Sequence, residues 1–440
     1  MSYFGSSRRQ FIKTSAGVMA AGAIVPAWLA ELAYGYQGDA AAKSERPRLG
    51  AIGVGGQGTG IMQGARQFAD LLAVCDVDRN HAERAQDLTK SDAGKAEIYE
   101  DYRKLLDRKD IDVVTIGTPD HWHTAVCVAA LKAGKDVYCE KPLTLTIDEG
   151  KLLVKTVEET GRVLQVGTQQ RSDVNTFIRA VATVHSGQIG KLKHVTVSLP
   201  LSTAEGGPFD PQPVPQNLNW DFWLGQAPHV EYVPQRCHFN FRWWYEYSGG
   251  IITDWGAHHM DIAQWGMDVQ NSGPLTIDGS QTKLPTIENG YNTPKTPVVD
   301  YTYAGDIHLQ LTTGDEFVVF EGENGRIKVN RGRVTGKAIE DQDADKSLQD
   351  KTSEWMTKVY KGRPFHGHMG DFFAAVKSRE QPISDVVSQH RSVSACHLGN
   401  ISCRLGRKLT WNPEQEMFVD DEAANAMLSR KQRSPYEINA

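Results

Sequence analysis

A chain of 440 residues is longer than one hydrophobic core supports and fits two domains of ordinary size. Hydrophobic residues make up 40% and charged residues 23%, proportions that exclude a disordered or fibrous chain. The formal net charge of −6 lacks the basic footprint that nucleic acid or an anionic membrane selects, so neither is expected as a partner.

Residues 1–42 read as an export signal and linker. Ser7-Arg8-Arg9-Gln10-Phe11-Ile12-Lys13 has the twin-arginine pattern, a mildly apolar Ala/Gly-rich run follows to about Ala33, and Ala40-Ala41-Ala42 offers small residues for cleavage. The run is too short and too rich in small residues for a lasting anchor. A periplasmic or otherwise exported protein, with no membrane anchor after signal removal, is therefore expected. Six cysteines show no C-x-x-C spacing, so zinc-ribbon and thioredoxin-like readings lack support, and any disulfide pairing is left open.

Residues 43–166 read as a dinucleotide-binding domain. Arg48-Leu49-Gly50-Ala51-Ile52 is a short apolar strand, and Gly53-Val54-Gly55-Gly56-Gln57-Gly58 follows at once, opening a helix. A second apolar run, Leu71 to Cys75, ends in Asp76. Gly53 permits the tight turn, Gly55 lets backbone approach a pyrophosphate, and Gly58 allows close packing of helix on strand, with Gly56 and Gln57 as further expected cofactor contacts. Asp76 would accept from the adenosine ribose and repel a 2′-phosphate, which favours NAD over NADP. Tyr102–Leu106 reads as a helix and Val113–Gly117 as a buried strand running into the turn Thr118-Pro119-Asp120-His121-Trp122-His123. A helix at 124–133, a strand at 135–139, a helix at 147–159 and a strand at 163–166 continue the alternation.

Glu140-Lys141-Pro142 at a strand end, behind that glycine fingerprint, resembles the glucose-fructose oxidoreductase / inositol dehydrogenase / rhizopine catabolism (Gfo/Idh/MocA) family. A second hallmark lies in Asp254-Trp255-Gly256-Ala257-His258, spaced D-x-x-x-H. The resemblance spans the whole mature chain and implies Lys141, Asp254 and His258 as the catalytic set. His258 would take the proton of an alcohol, Lys141 would stabilise charge on the reacting oxygen, and Asp254 would hold substrate hydroxyls. Thr118, Pro119, His121, His123, Glu140 and Gln169 join the glycine loop and Asp76 as expected cofactor contacts; Arg171, Arg242 and Trp243 join Asp254 and His258 as expected substrate contacts. A glycosidase branch of the superfamily carries a Tyr-x-x-His-Gly pattern here, which this chain lacks.

Residues 167–440 read as the substrate domain, with an α+β fold and an open, largely antiparallel sheet. Period-two runs at 193–198, 307–311 and 317–320 mark strands. The aromatic stretch Phe239 to Tyr247 leads into the D-x-x-x-H segment, and ring faces beside Arg, Asn and Glu suit a polyol. Segments 371–376 and 390–405 read as helices packing back on the body, and the chain from Trp411 onward as an exposed arm or oligomer contact. The His-x-His pairs at His121/His123 and His366/His368 lack a third ligand, so no metal is expected. A homo-oligomer formed through the second domain's sheet is the expected assembly. The fold class is thus α/β with an added α+β domain, and the expected activity is hydride transfer between tightly held NAD and a sugar or polyol secondary alcohol. Redox-neutral glycoside cleavage and non-catalytic sugar or NAD sensing are the alternatives.

Overall fold

Short runs that are apolar on both faces can only be satisfied inside a parallel sheet flanked by helices. The first half of the chain folds accordingly in the computed structural model, which describes residues 46–89, 95–363 and 365–438; the export motif lies outside them. β1 (Arg48–Ile52), α1 (Gly56–Ala65), β2 (Asp70–Cys75), α2 (Arg79–Asp87), β3 (Glu97–Tyr99) and α3 (Tyr102–Leu106) form one half of a doubly wound unit. β4 (Val113–Ile116), α4 (Asp120–Lys132), β5 (Asp136–Cys139), α5 (Ile147–Thr160) and β6 (Leu164–Val166) form the other. The strands are parallel in the order β3-β2-β1-β4-β5-β6. The order reverses between β1 and β4, and the carboxyl ends of those two strands frame the crevice where such sheets take ligands.

α4 begins at Asp120, earlier than the turn read from the sequence, with Pro119 as its N-cap. A turn would leave both histidines free to face the crevice. On a helix, residues two apart are about 200° apart around the axis, so His121 and His123 leave on opposite sides.

After β6 comes a 3₁₀ turn, Gln169–Ser172, then a π-helical turn, Val174–Ile178. α6 (Arg179–His185), β7 (Leu192–Pro200), α7 (Trp220–Leu224), α8 (Ile251–Asp254) and α9 (Gly256–Gly266) follow. The remaining strands are β8 (Thr276–Asp278), β9 (Val299–Tyr303), β10 (Ile307–Gly314), β11 (Phe317–Gly322), β12 (Gly325–Val329) and β13 (Val334–Thr335). The chain closes with α10 (Lys337–Ala344), α11 (Lys346–Val359), α12 (Gly367–Ser378), α13 (Val386–Leu405), β14 (Lys408–Asn412), β15 (Met417–Phe418) and α14 (Glu422–Asn425). The second sheet has the order β13-β12-β11-β7-β10-β9-β8-β14-β15. Among the described residues it is antiparallel except where β7 meets β10. Val195, Val197, Leu309, Leu311, Val318 and Phe320 alternate inward as period-two strands should, onto a core shared with α9 and α13.

Trp411 is a correction to the exposed arm read from the sequence. It is 3% exposed and sits in β14 with buried Leu409 one register earlier, pairing β8. The final segment is also tied down: Arg433 bonds Asp221 and the carbonyl of Gly225, and Tyr436 stacks on Phe222. Among the described residues, no helix is long and apolar enough to cross a membrane.

Candidate active site

The glycine loop is shaped by contacts that exclude side chains. Gly53 has φ +73°, its N–H donates to the Cys75 carbonyl at 2.8 Å, and a Cβ there would lie 2.5 Å from the Thr118 nitrogen. A Cβ on Gly58 would come within 1.8 Å of the Gly53 carbonyl oxygen, so α1 can approach β1 and β4 only as glycine. Gly56 is different: a Cβ there meets nothing within 4 Å, because the residue borders open space. That space is a cavity of about 860 Å³, whose walls include Gly55, Gly56, Gln57, Asp76, Thr118 and Pro119.

The first N–H groups of α1 have no partner within the helix and, with its dipole, favour an anion. Asp76 stands at the end of β2, its carboxylate accepting from the amides of Val54 and Asp78, each at 2.9 Å. Glu140 is buried at the end of β5 and accepts from Gln57 and Gln169, each at 3.1 Å, which ties the glycine loop to the turn after β6. Burial raises the Glu140 carboxyl above its ordinary value, against the lowering effect of Lys141 and the two glutamines. An anion cradle at a helix start, open space at Gly56 and a carboxylate at the β2 end fit a dinucleotide.

Lys141 leaves the EKP turn and pairs with the carboxylate of Asp254, also donating to the Asp254 carbonyl at 3.2 Å. Arg242 Nε lies 3.5 Å from the same carboxylate. Burial would raise the Asp254 carboxyl, but the charges of Lys141 and Arg242 outweigh it and hold the group below its ordinary value. Asp254 ends α8 and His258 lies in the first turn of α9. Trp255 between them keeps right-handed helical angles, so the two side chains share a face. His258 is 4% exposed, and burial, followed by the nearby charge of Lys141, pushes its imidazole well below the usual value. Its Nδ1 has no hydrogen-bond partner among the described residues. Lys141, Asp254 and His258 all border the cavity that the glycine loop borders.

Not every expected contact reaches that cavity. His121 turns away: its Nε2 bonds the Trp223 carbonyl at 2.9 Å, its ring packs on Trp223 and Tyr247, and burial pushes it to about 3. His123 borders the cavity, but its nitrogens sit 2.7 Å from the Pro142 carbonyl and 3.0 Å from that of Thr118, so it ties two loops together. Arg171 is spent in the core, gripping Asp261 through two hydrogen bonds of 2.7 and 2.6 Å. Trp243 is also interior, while its neighbours Phe241 and Arg242 face the cleft.

Two groups that sequence reasoning missed line the cavity. Asp120, the first residue of α4, is buried and accepts from Ser248. Burial raises its carboxyl to about 7, with Ser248 and Arg242 opposing. Arg331 stacks over Trp255 at 4.2 Å from the β12–β13 turn. Asp120 falls within the Thr118–His123 segment, and its place at the head of a helix is the signal that marks it; nothing in the sequence around Arg331 does so.

The Gfo/Idh/MocA family models match in two pieces: an oxidoreductase-family NAD-binding Rossmann fold over residues 48–168, and an oxidoreductase-family C-terminal alpha/beta domain over residues 204–438. The chain belongs to this oxidoreductase family. Within it, the chain is 32% identical over 148 residues to an inositol 2-dehydrogenase of Salmonella paratyphi B, covering 33% of this chain and 43% of that protein. It is 34% identical over 167 residues to a glycosyl hydrolase family 109 protein of Shewanella, covering 35% of each. The chain thus matches less than half the length of either relative. A WlbA dehydrogenase of Bordetella pertussis, solved with NADH and UDP-GlcNAcA, has the same overall fold: TM-score 0.60 at 16% identity, over 84% of this chain and 99% of that one.

Proposed function

We propose that the protein oxidises or reduces a secondary alcohol of a sugar or polyol, with residues 43–166 holding NAD and residues 167–440 holding the substrate. The observation that carries this reading is the convergence of Lys141, Asp254 and His258 on the cavity bordered by the glycine loop. The acid at Asp76 favours NAD over NADP. Inositol 2-dehydrogenase among the relatives supports a polyol, since its name states that substrate class for that protein.

When bound, NAD supplies the hydride acceptor or donor for the carbinol carbon. The neutral imidazole of His258, with Nδ1 unpartnered, accepts the hydroxyl proton in the oxidative direction and returns it in the other. The ammonium of Lys141 stabilises negative charge developing on the carbinol oxygen, and its ion pair with Asp254 fixes it in place. Arg242 keeps Asp254 ionised and so keeps Lys141 in place. The cleft is dry enough to strengthen each of these interactions, since the Lys141 and Asp254 side chains are each 14% exposed.

Export through the twin-arginine motif belongs to the same proposal and carries a consequence. Free NAD is scarce outside the cytoplasm, so the cofactor would travel with the folded protein and be recycled by a second substrate. The working unit is proposed as a homo-oligomer through the second domain's sheet. Absorbance and mass spectra of the desalted protein test retention. A sugar panel then reads the change in bound nicotinamide. Lys141→Met should keep the nicotinamide and lose about 10²–10³-fold in its rate of reduction. Reduction at the parent rate would remove the proposal.

One observation favours a second reading: relatives named for glycoside hydrolysis. Transient oxidation can acidify a neighbouring C–H and expel a glycosidic oxygen without net redox change. Release of the aglycone with no accumulating keto-sugar would establish that reading in place of the dehydrogenase.

A further inference from the structure

Where the start of α2 meets the second domain, His81 and His238 border the cavity and Asp78 lies against both, and the proposed chemistry uses none of the three. Asp78 caps α2 and is buried, and its Oδ1 is already engaged by the Asn80 amide at 2.9 Å and the Asn217 side chain at 2.8 Å. Its Oδ2 faces inward onto two imidazoles. His238 Nε2 lies 3.3 Å away and His81 Nε2 lies 4.0 Å away. One ligand atom from each of the three residues falls within 4.8 Å of the other two. His81 and Asp78 belong to the first domain, whereas His238 arrives from a 3₁₀ turn of the second, 157 positions later than His81 in the chain.

We propose that Asp78, His81 and His238 bind a divalent transition metal, with zinc the best-fitting occupant, and that the ion clasps the second domain's loop onto the rim of the first. Tetrahedral zinc holds nitrogen and oxygen ligands at about 2.0–2.2 Å, which places them roughly 3.3 Å apart. The Asp78–His238 edge already has that length, while the Asp78–His81 edge at 4.0 Å and the His81–His238 edge, within 4.8 Å, shorten when the ion binds. Two histidines and one carboxylate leave a position for water, and the 46% exposed side chain of His238 gives water access. The other nitrogen of His81 faces a carboxylate as well: Nδ1 is 3.5 Å from Asp76 Oδ2. That arrangement, in which an acid orients a ligating histidine through its far nitrogen, is the usual support for a metal-bound imidazole. His238 holds φ +50°, a conformation that non-glycine residues seldom adopt without a reason in the surroundings. Neither cysteine spacing nor the His-x-His pairs point to these three residues. Here the third ligand comes from a distant segment that only folding brings near.

The clasp has a functional consequence that rests on the NAD reading. Asp76 touches His81, and both border the cavity, so an ion there would hold the second domain's loop across the entrance used by the dinucleotide. Removing the ion should open that side and speed loss of nicotinamide.

Metal content comes first, because it is independent of any cofactor. The untagged full-length protein, stripped with a chelator and titrated with zinc, should bind one equivalent per chain. With cobalt(II) it should show the visible bands of a four-coordinate site. His81→Ala and His238→Ala should each abolish stoichiometric binding, and Asp76→Asn should weaken it about 10–100-fold. His238→Cys restores a ligand, so it should bind cobalt with an added thiolate charge-transfer band, which guards against misreading a misfolded alanine variant. No zinc at stoichiometric concentration, or undiminished binding in both alanine variants, overturns the site. If zinc binds but chelation leaves the release of nicotinamide unchanged, the clasp is overturned and the metal site stands.

Discussion

At the scale of single residues, the group that most distinguishes this cleft is Asp120. Its carboxyl is buried at the head of α4 with Ser248 as its hydroxyl partner, and burial raises it to about 7. A carboxyl raised on folding binds its proton more tightly in the native state than in the unfolded one. Stability from that proton is fully present below the ordinary carboxylate range, near pH 4, and is lost as pH rises through about 7. The span is worth at most about 4 kcal/mol at 1.36 kcal/mol per pK step. Asp120→Asn keeps a neutral group of the same shape that can still accept from Ser248. Denaturant unfolding should find the variant close to the parent at pH 4 and progressively more stable than it up to pH 8. Parallel stability curves for the two proteins between those values would show that Asp120 does not titrate there.

At the scale of elements, the strand–glycine turn–helix unit separates packing from binding within three residues. Gly58→Ala drives a methyl group into the Gly53 carbonyl, backbone against backbone, and neither can yield without moving α1 off β1. We expect a loss of about 3 kcal/mol or more, read from urea unfolding. Gly56→Ala meets nothing, and alanine is the better helix former, so stability should hold or rise by about 0.5 kcal/mol. Its methyl group would instead occupy the mouth of the anion cradle and weaken retention of nicotinamide. Equal stability losses in the two variants would refute this division of labour. This unit, the EKP turn and the D-x-x-x-H pair were legible in the sequence because each is a contiguous run whose geometry is local. Side-chain direction was not. His121 and His123 looked equivalent until helix α4 began at Asp120 and sent them to opposite sides. Trp411 looked exposed because the nearby Pro413 suggested punctuation, while its strand partner β8 lies more than a hundred residues upstream. Asp120 meets Ser248 across 128 positions, and the Asp78–His81–His238 group spans the two domains; no local pattern encodes either.

At the scale of the whole molecule, the two sheets act as one unit only if the helices between them are locked, and Arg171 supplies the lock. It sits in the turn after β6 and clamps Asp261 of α9 with paired hydrogen bonds, donates to the Ile383 carbonyl at 3.1 Å, and lies 4.9 Å over the Trp265 ring. Gln389 and Ser392 of α13 complete the shell of Asp261, each at 2.8 Å. Arg171 and Asp261 are 2% and 0% exposed, so neither charge can fall back on water. Arg171→Met conserves much of the volume but strands a buried carboxylate, which typically costs about 3–5 kcal/mol. Asp261→Leu strands the guanidinium instead, and the double variant should lose clearly less than the sum of the two singles, because the second change removes the charge that the first left unpaired. A substrate contact at Arg171 predicts a different pattern: a raised KM with little change in stability. The interior lock predicts lower unfolding midpoints, with KM unchanged in whatever fraction stays folded. A denaturation series on the three variants beside substrate titrations separates the two, and a stability loss under about 1 kcal/mol for Arg171→Met would move this arginine back to the cleft.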